Sequence, residues 1–176
     1  MLECNTETEL IKQAEKTAAC LTEKLKEHSL TLALAESCTA GLISSLLANI
    51  PGVSAVLWGS FVCYTKEAKV LMLGLDKNQL DTCGTVSGET AGCMEECVLQ
   101  KSGVNIAASV TGLAGPGGDG SNTATGTVWI ATAFQNGGIE TENLHFSGTR
   151  NEIRLRSAIA LLEMLINRLD KTKGFY

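Results

Sequence analysis

The sequence predicts an α/β fold, a sheet with helices on both faces that is mostly parallel but carries one antiparallel element. Three observations predict it. Short apolar runs, such as residues 30–35 and 104–111, alternate with segments of helical periodicity. Capping or turn residues close each segment. Two strand-like stretches late in the chain flank the pair Gly137 and Gly138, a hairpin signal.

The elements follow in order. Apolar residues at helical spacing from Thr6 to about Leu25, with Thr6 and Glu9 as a capping box, predict an opening helix. LTLALA, residues 30–35, reads as a strand that stops at Glu36, and CTAGLISSLLANI then reads as a helix ended by Pro51 and Gly52. Residues 55–64 favour a strand. TKEAKVLMLG reads as a short helix closed by Gly74, and Asp76 starts another helical turn. Ser87 is placed to cap a helix reaching about Lys101, followed by the buried-looking strand VNIAASVT. After a glycine-rich stretch, TVWIATAF and GIETENLHF form the hairpin, and Thr149 with Glu152 caps a final amphipathic helix.

Composition bounds the rest. With 176 residues, 44% of them hydrophobic and 19% charged, one globular domain over residues 1–176 is expected, and no apolar run approaches the ~20 residues of a membrane span. The formal charge of -5 argues against a broad nucleic-acid surface. Seven cysteines, an odd number in a chain with no signal-peptide pattern, fit a reducing cytoplasm better than a disulfide framework. Cys93 and Cys97 lie one helical turn apart, but no CxxC pair or nearby histidine completes a site, so no metal is expected. Glycine is in excess, with 18 residues against a usual share near 7%.

Candidate chemistry begins at AESCTAG, residues 35–41, because ligands of open α/β sheets gather at strand C-termini and helix N-termini. Ser37 is there either a nucleophile or an N-cap, and Thr39 could equally serve a cap. The segment is not a GxSxG elbow, and His28, in a turn, and His145, in a predicted strand, are poor partners for a Ser-His-Asp triad. A base would then come from Tyr64, Lys66 or Lys69 at the next strand-to-helix junction. Tyr64 and Lys69 are five positions apart. On one helix that spacing sets them about 140 degrees apart, so they converge only if Tyr64 belongs to the strand end. Otherwise the lysines are solvated residues on an exposed helix face.

The loop TGLAGPGGDG, residues 111–120, matches neither a Walker A loop nor GxGxxG, yet five glycines in ten residues let backbone amides approach a ligand. A surface loop is the ordinary alternative. Arg150 in GTR falls in the first turn of the last helix, where it could clamp a phosphate or carboxylate, with Arg154 one turn further on. Pairing with an acid is its ordinary explanation.

Taken in order, AESCTAG, Pro51 and Gly52, FVCYTKEAKVLMLGL, GTVS, VTGLAGPGG, GTVWIA and FSGTRNEIR resemble the C-terminal domain of the CinA family, the nicotinamide-nucleotide amidohydrolases, from about residue 8 to 170. The resemblance implies a three-layer α/β/α sandwich with a mixed, mostly parallel five-stranded sheet, in agreement with the five strands read from the residues. It implies hydrolysis of the carboxamide of nicotinamide mononucleotide to nicotinate mononucleotide and ammonia, a step of pyridine nucleotide salvage, with no cofactor. It assigns catalytic roles to Ser37, Tyr64 and Lys69, and substrate contacts to Arg150. With it, the oxyanion would meet amides around Cys38 and Thr39, and the ribose phosphate would lie against Thr111, Gly112, Gly115 and Gly117. The sequence departs from the family at Ala40, where a second glycine is frequent, and at Thr123–Gly126, where a KPxG stretch would bring a positive charge. The family's frequent N-terminal partner domain has no counterpart here, so a stand-alone cytoplasmic form is expected. Its partner is a small mononucleotide rather than nucleic acid or membrane, and its apolar outer helices would allow a homo-oligomer. The competing readings are a non-catalytic nucleotide-binding protein of the same fold and a cysteine amidase using Cys38.

Overall fold

The computed structural model describes residues 6–118, 120–135 and 138–171. The opening helix α1 (Glu7–Glu27) carries its capping box at Thr6 and Glu9 and turns Leu10, Ala14, Ala18, Leu21 and Leu25 inward. It is followed by β1 (Leu32–Glu36), α2 (Leu42–Ala48), a single 3-10 turn at Val53–Ala55 and β2 (Leu57–Val62). Next come α3 (Lys66–Ala68), which runs straight into a π-helical turn at Lys69–Leu73, then α4 (Lys77–Cys83) and α5 (Gly88–Ser102). The chain closes with β3 (Ile106–Gly112), β4 (Thr127–Phe134), β5 (Gly138–His145) and α6 (Arg150–Lys171).

The five strands lie in the order β2-β1-β3-β4-β5. β1 pairs in parallel with β2 and β3, and β4 pairs antiparallel with both β3 and β5, so β4 alone runs against the other four. That is the one antiparallel element expected from the sequence, and the β4–β5 hairpin supplies it. Gly137, part of its expected turn, lies outside the described residues.

Two apolar layers sandwich the sheet. On one face Leu32, Leu34, Ile106, Ala108, Val110 and Ile130 pack with the inward residues of α1, α2 and α6. On the other, Ala33, Ala35 and Ala107 meet Met94 and Val98 of α5 together with Leu73, Leu75 and Leu80. Small strand residues on this second face let α5 sit close, and Ser109 Oγ ties the layers by donating to the Ala91 carbonyl at 2.6 Å. The result is the expected three-layer α/β/α sandwich.

Three local expectations change. Glu36 is the last residue of β1 rather than its stop, because its carboxylate is buried and fully hydrogen-bonded. The helix read from Cys38 begins only at Leu42, with Cys38–Gly41 forming a turn in which Ala40 and Gly41 take positive φ of 51° and 88°. Asp76 caps a complete short helix, α4, where only a turn was expected, since Leu80 is its one buried residue and its periodic signal is weak. Among the described residues no helix is long and apolar enough to cross a membrane.

Candidate active site

The ends of β1, β2 and β3 point toward one opening, and the turns that follow them line it. The cavity measures about 210 Å³. Ser37 and Cys38 come from the turn after β1, Tyr64, Lys66 and Lys69 from the segment after β2, and Thr111 to Ala114 from the end of β3. Thr85 and Val86, ahead of α5, and Arg150, opening α6, close the walls.

Ser37 is not a helix cap. Gly41 holds the cap position of α2, and the capping carboxylate comes from Glu36, which accepts from the amides of Ile43 at 3.1 Å and Ser44 at 2.9 Å and from Ser60 Oγ at 3.2 Å. The Ser37 amide donates to the Val110 carbonyl at 3.0 Å, which fixes the turn to β3 and leaves the side chain facing the cavity.

Lys69 starts the π-helical turn and is wholly buried, a setting that requires its amine to find partners. It finds two: Nζ lies 2.8 Å from Ser37 Oγ and 2.9 Å from the Cys63 carbonyl, to which it donates. Burial pushes the Lys69 amine below the ordinary lysine value, opposed only by the neighbouring Cys63 and Cys38 thiols. A neutral amine beside a serine hydroxyl can take its proton, so the pair has the geometry of a nucleophile with its general base.

Tyr64 behaves differently. It is half exposed, and its hydroxyl accepts from Arg150 Nη2 at 2.6 Å, while Arg150 Nη1 donates to the Gly115 carbonyl at 2.6 Å. Arg150 therefore joins α6, the end of β2 and the glycine loop. Arg154 donates to the Thr39 carbonyl at 2.7 Å and so pins the Ser37 turn to the same helix. Among the described residues neither arginine has an acid partner within ion-pair distance.

The sequence candidates sort accordingly. Ser37, Cys38, Tyr64, Lys69, Thr111, Gly112 and Arg150 all line the cavity. Thr111 Oγ1 donates to the Thr85 carbonyl at 2.7 Å and ties two walls together, and Gly112 has no room for a Cβ, which would come within 2.8 Å of the Thr127 carbonyl. Gly115 takes part through its carbonyl alone. Thr39 is wholly buried and its hydroxyl has no hydrogen-bond partner among the described residues, which leaves its backbone amide for the role expected of it, and exposed Gly117 does not line the cavity. Cys38 is buried and burial pushes its thiol up to about 12, which removes the thiolate a cysteine amidase needs. His28 and His145 lie away from the cavity. The Thr123–Gly126 segment braces the loop: Thr125 Oγ1 donates to the Gly117 carbonyl at 3.2 Å, and its methyl group fills the space a Cβ at Gly115 would need.

Residues 14–169 match the family model described as the CinA C-terminal domain. A CinA-like protein of Geobacter metallireducens is 42% identical over 144 residues, 82% of this chain and 35% of that protein. A CinA-like protein of Thermotoga neapolitana is 40% identical over 157 residues, 89% of this chain and 38% of that protein. The chain thus spans about a third of the length of the curated relatives it matches. Among solved structures, the competence/damage inducible protein CihA from Agrobacterium tumefaciens superposes with a TM-score of 0.85 at 40% identity, covering 90% of this chain and 96% of that one. The competence damage-inducible protein A (ComA) from Klebsiella pneumoniae gives 0.87 at 28% identity, covering 90% and 98%.

Proposed function

The chain belongs to the family of the CinA C-terminal domain, and on that premise we propose that its cavity is the active site of an amidohydrolase that converts nicotinamide mononucleotide to nicotinate mononucleotide and ammonia. The contact between Lys69 Nζ and Ser37 Oγ carries this reading. Burial lowers the pKa of the amine and so favours its neutral form, the form that accepts a proton. As Ser37 Oγ bonds to the carboxamide carbon, its proton passes to Lys69, and the electron pair of the carbonyl moves onto oxygen. The amides of Cys38 and Thr39 are available to that oxyanion, whereas Glu36 already occupies those of Ile43 and Ser44 and the Ala40 amide goes to the Ser37 carbonyl. Lys69 returns the proton to the departing nitrogen, ammonia leaves, and water deacylates the serine ester by the same relay. The Cys63 carbonyl, holding a second Nζ hydrogen, aims the amine through both halves. Tyr64, bonded to Arg150 rather than to Ser37, shapes the wall and is not the base.

A panel assay of ammonia release from nicotinamide mononucleotide, free nicotinamide and NAD tests the reading. Turnover of the mononucleotide with little from the other two supports it, and tight mononucleotide binding without ammonia release assigns the chain to the non-catalytic binders instead.

A further inference from the structure

Three cationic side chains line the cavity, and they differ in what holds them. Lys69 is wholly buried and spent on Ser37 and the Cys63 carbonyl. Arg150 is fixed at both guanidinium ends, by the Gly115 carbonyl and the Tyr64 hydroxyl, and moving it would abandon both partners and unfasten the loop. Lys66, two residues beyond Tyr64, is held among the described residues only by an ion pair with Asp81 of α4, in which the lysine side chain is 26% and the aspartate 57% exposed. Exposed pairs of that kind contribute little, so the ammonium is the cation at this cavity that is released most cheaply.

The size of the cavity sharpens the point. About 210 Å³ is less than the ~300 Å³ at the lower end of ordinary ligand pockets, so a mononucleotide with its carboxamide at Ser37 leaves its phosphate at the rim, and Lys66 stands at that edge, since it also lines the neighbouring surface groove with Val70, Leu71 and Lys77. A phosphate monoester carries about -1.5 to -2 charges at neutral pH and three acceptor oxygens, and outcompetes a single carboxylate for an ammonium.

We infer that Lys66 binds the phosphate of the substrate and that Asp81 holds this lysine in the empty site, making the pair the determinant of preference for phosphorylated over unphosphorylated nucleosides. This rests on the amide-hydrolysis reading, and moves the phosphate from the glycine loop and Arg150, where the family resemblance put it, to the segment after β2. No covalent step is involved: one ion pair is exchanged for another.

The readout is the ratio of kcat/KM for nicotinamide mononucleotide to that for nicotinamide riboside. In Lys66→Gln the ratio falls roughly tenfold or more, the worth of one lost charge-assisted hydrogen bond, whereas in Asp81→Asn it rises several-fold. An unchanged ratio in Lys66→Gln overturns the assignment, including the case where both substrates slow equally. An unchanged ratio in Asp81→Asn overturns the exchange. If the wild type releases ammonia from neither substrate, the amide-hydrolysis reading fails by itself. Calorimetric titration with ribose 5-phosphate, and ribose as control, then decides on Lys66: affinity for the phosphate sugar falls roughly tenfold in Lys66→Gln or the assignment is wrong.

Discussion

The carboxylate of Glu36 lies 2.9 Å from the amide nitrogen of Ser44, so the residue that ends β1 also caps the helix that begins after the turn carrying Ser37. Glu36 is wholly buried, and the helix has no acidic residue in its own first turn. Glu36→Ala orphans the buried amide of Ile43 and the part-buried amide of Ser44 and is expected to cost about 1–3 kcal/mol, with kcat falling further because the turn carrying Ser37 loses its anchor. Glu36→Gln, which keeps one acceptor, falls between. A thermal melt and an ammonia assay on both variants check this, and an Ala variant that melts with the wild type would refute it.

Lys69→Met keeps the length of a buried side chain while removing its amine. Turnover is expected to drop at least ~10²-fold, with a melting temperature equal to or above that of the wild type, since no charge then needs burying. Ser37→Ala should show the same loss of rate. Wild-type turnover in Ser37→Ala would sink the serine mechanism.

The direction of the Lys69 shift sets the pH profile. A base must be unprotonated, so kcat/KM for the mononucleotide climbs as pH rises through the folded-state pKa of Lys69, which burial places below 10.5. The rising limb should therefore have its midpoint below that value, and should vanish with the residual activity of Lys69→Met. A midpoint at or above 10.5 would show that another group is being titrated.

Ala40 stands in the left-handed region at φ 51°, a conformation that costs an L residue about 1–2 kcal/mol and glycine nothing. Ala40→Gly is accordingly expected to raise the melting temperature by roughly 2–4 °C per kcal/mol recovered, with the unfolded chain's extra freedom taking back part of the gain. Differential scanning calorimetry reads the shift directly.

Glu95 on α5 is wholly buried, and neither of its oxygens has a hydrogen-bond partner among the described residues. Burial, reinforced by Glu96 and only partly offset by Arg168, pushes its carboxyl up to about 8 from an ordinary 4.5. The folded state thus binds a proton that the unfolded state releases. Its contribution is present in full below about 4.5 and is lost as pH rises through 8. The melting temperature should decline across that window, and Glu95→Gln should flatten the decline and melt several degrees higher at pH 8.

Most of the fold could be read from the chain because long periodic segments, caps at Thr6, Ser87 and Thr149, and two strand-like stretches at the hairpin all agree. α4 was harder, since one buried leucine gives no period, and a π-helical turn leaves no pattern distinct from an α-helix. In the site, Ser37 and Lys69 meet across 32 positions of sequence, which no local spacing encodes. The ordered motifs of the family placed them together. Two features escaped. The capping by Glu36 could have been sought from an acid just ahead of a helix whose own cap is glycine. The bracing of the glycine loop by Thr125 left no signal, because it depends on how the loop folds back.

Arg150 and Arg154 both belong to the last helix, yet they fasten Tyr64, Gly115 and the turn bearing Ser37. Along the chain Ser37 therefore precedes its supports by more than a hundred residues. A nascent chain carrying every residue up to the end of β5 would hold the serine and the lysine but no finished pocket, whose walls would close only when α6 docks.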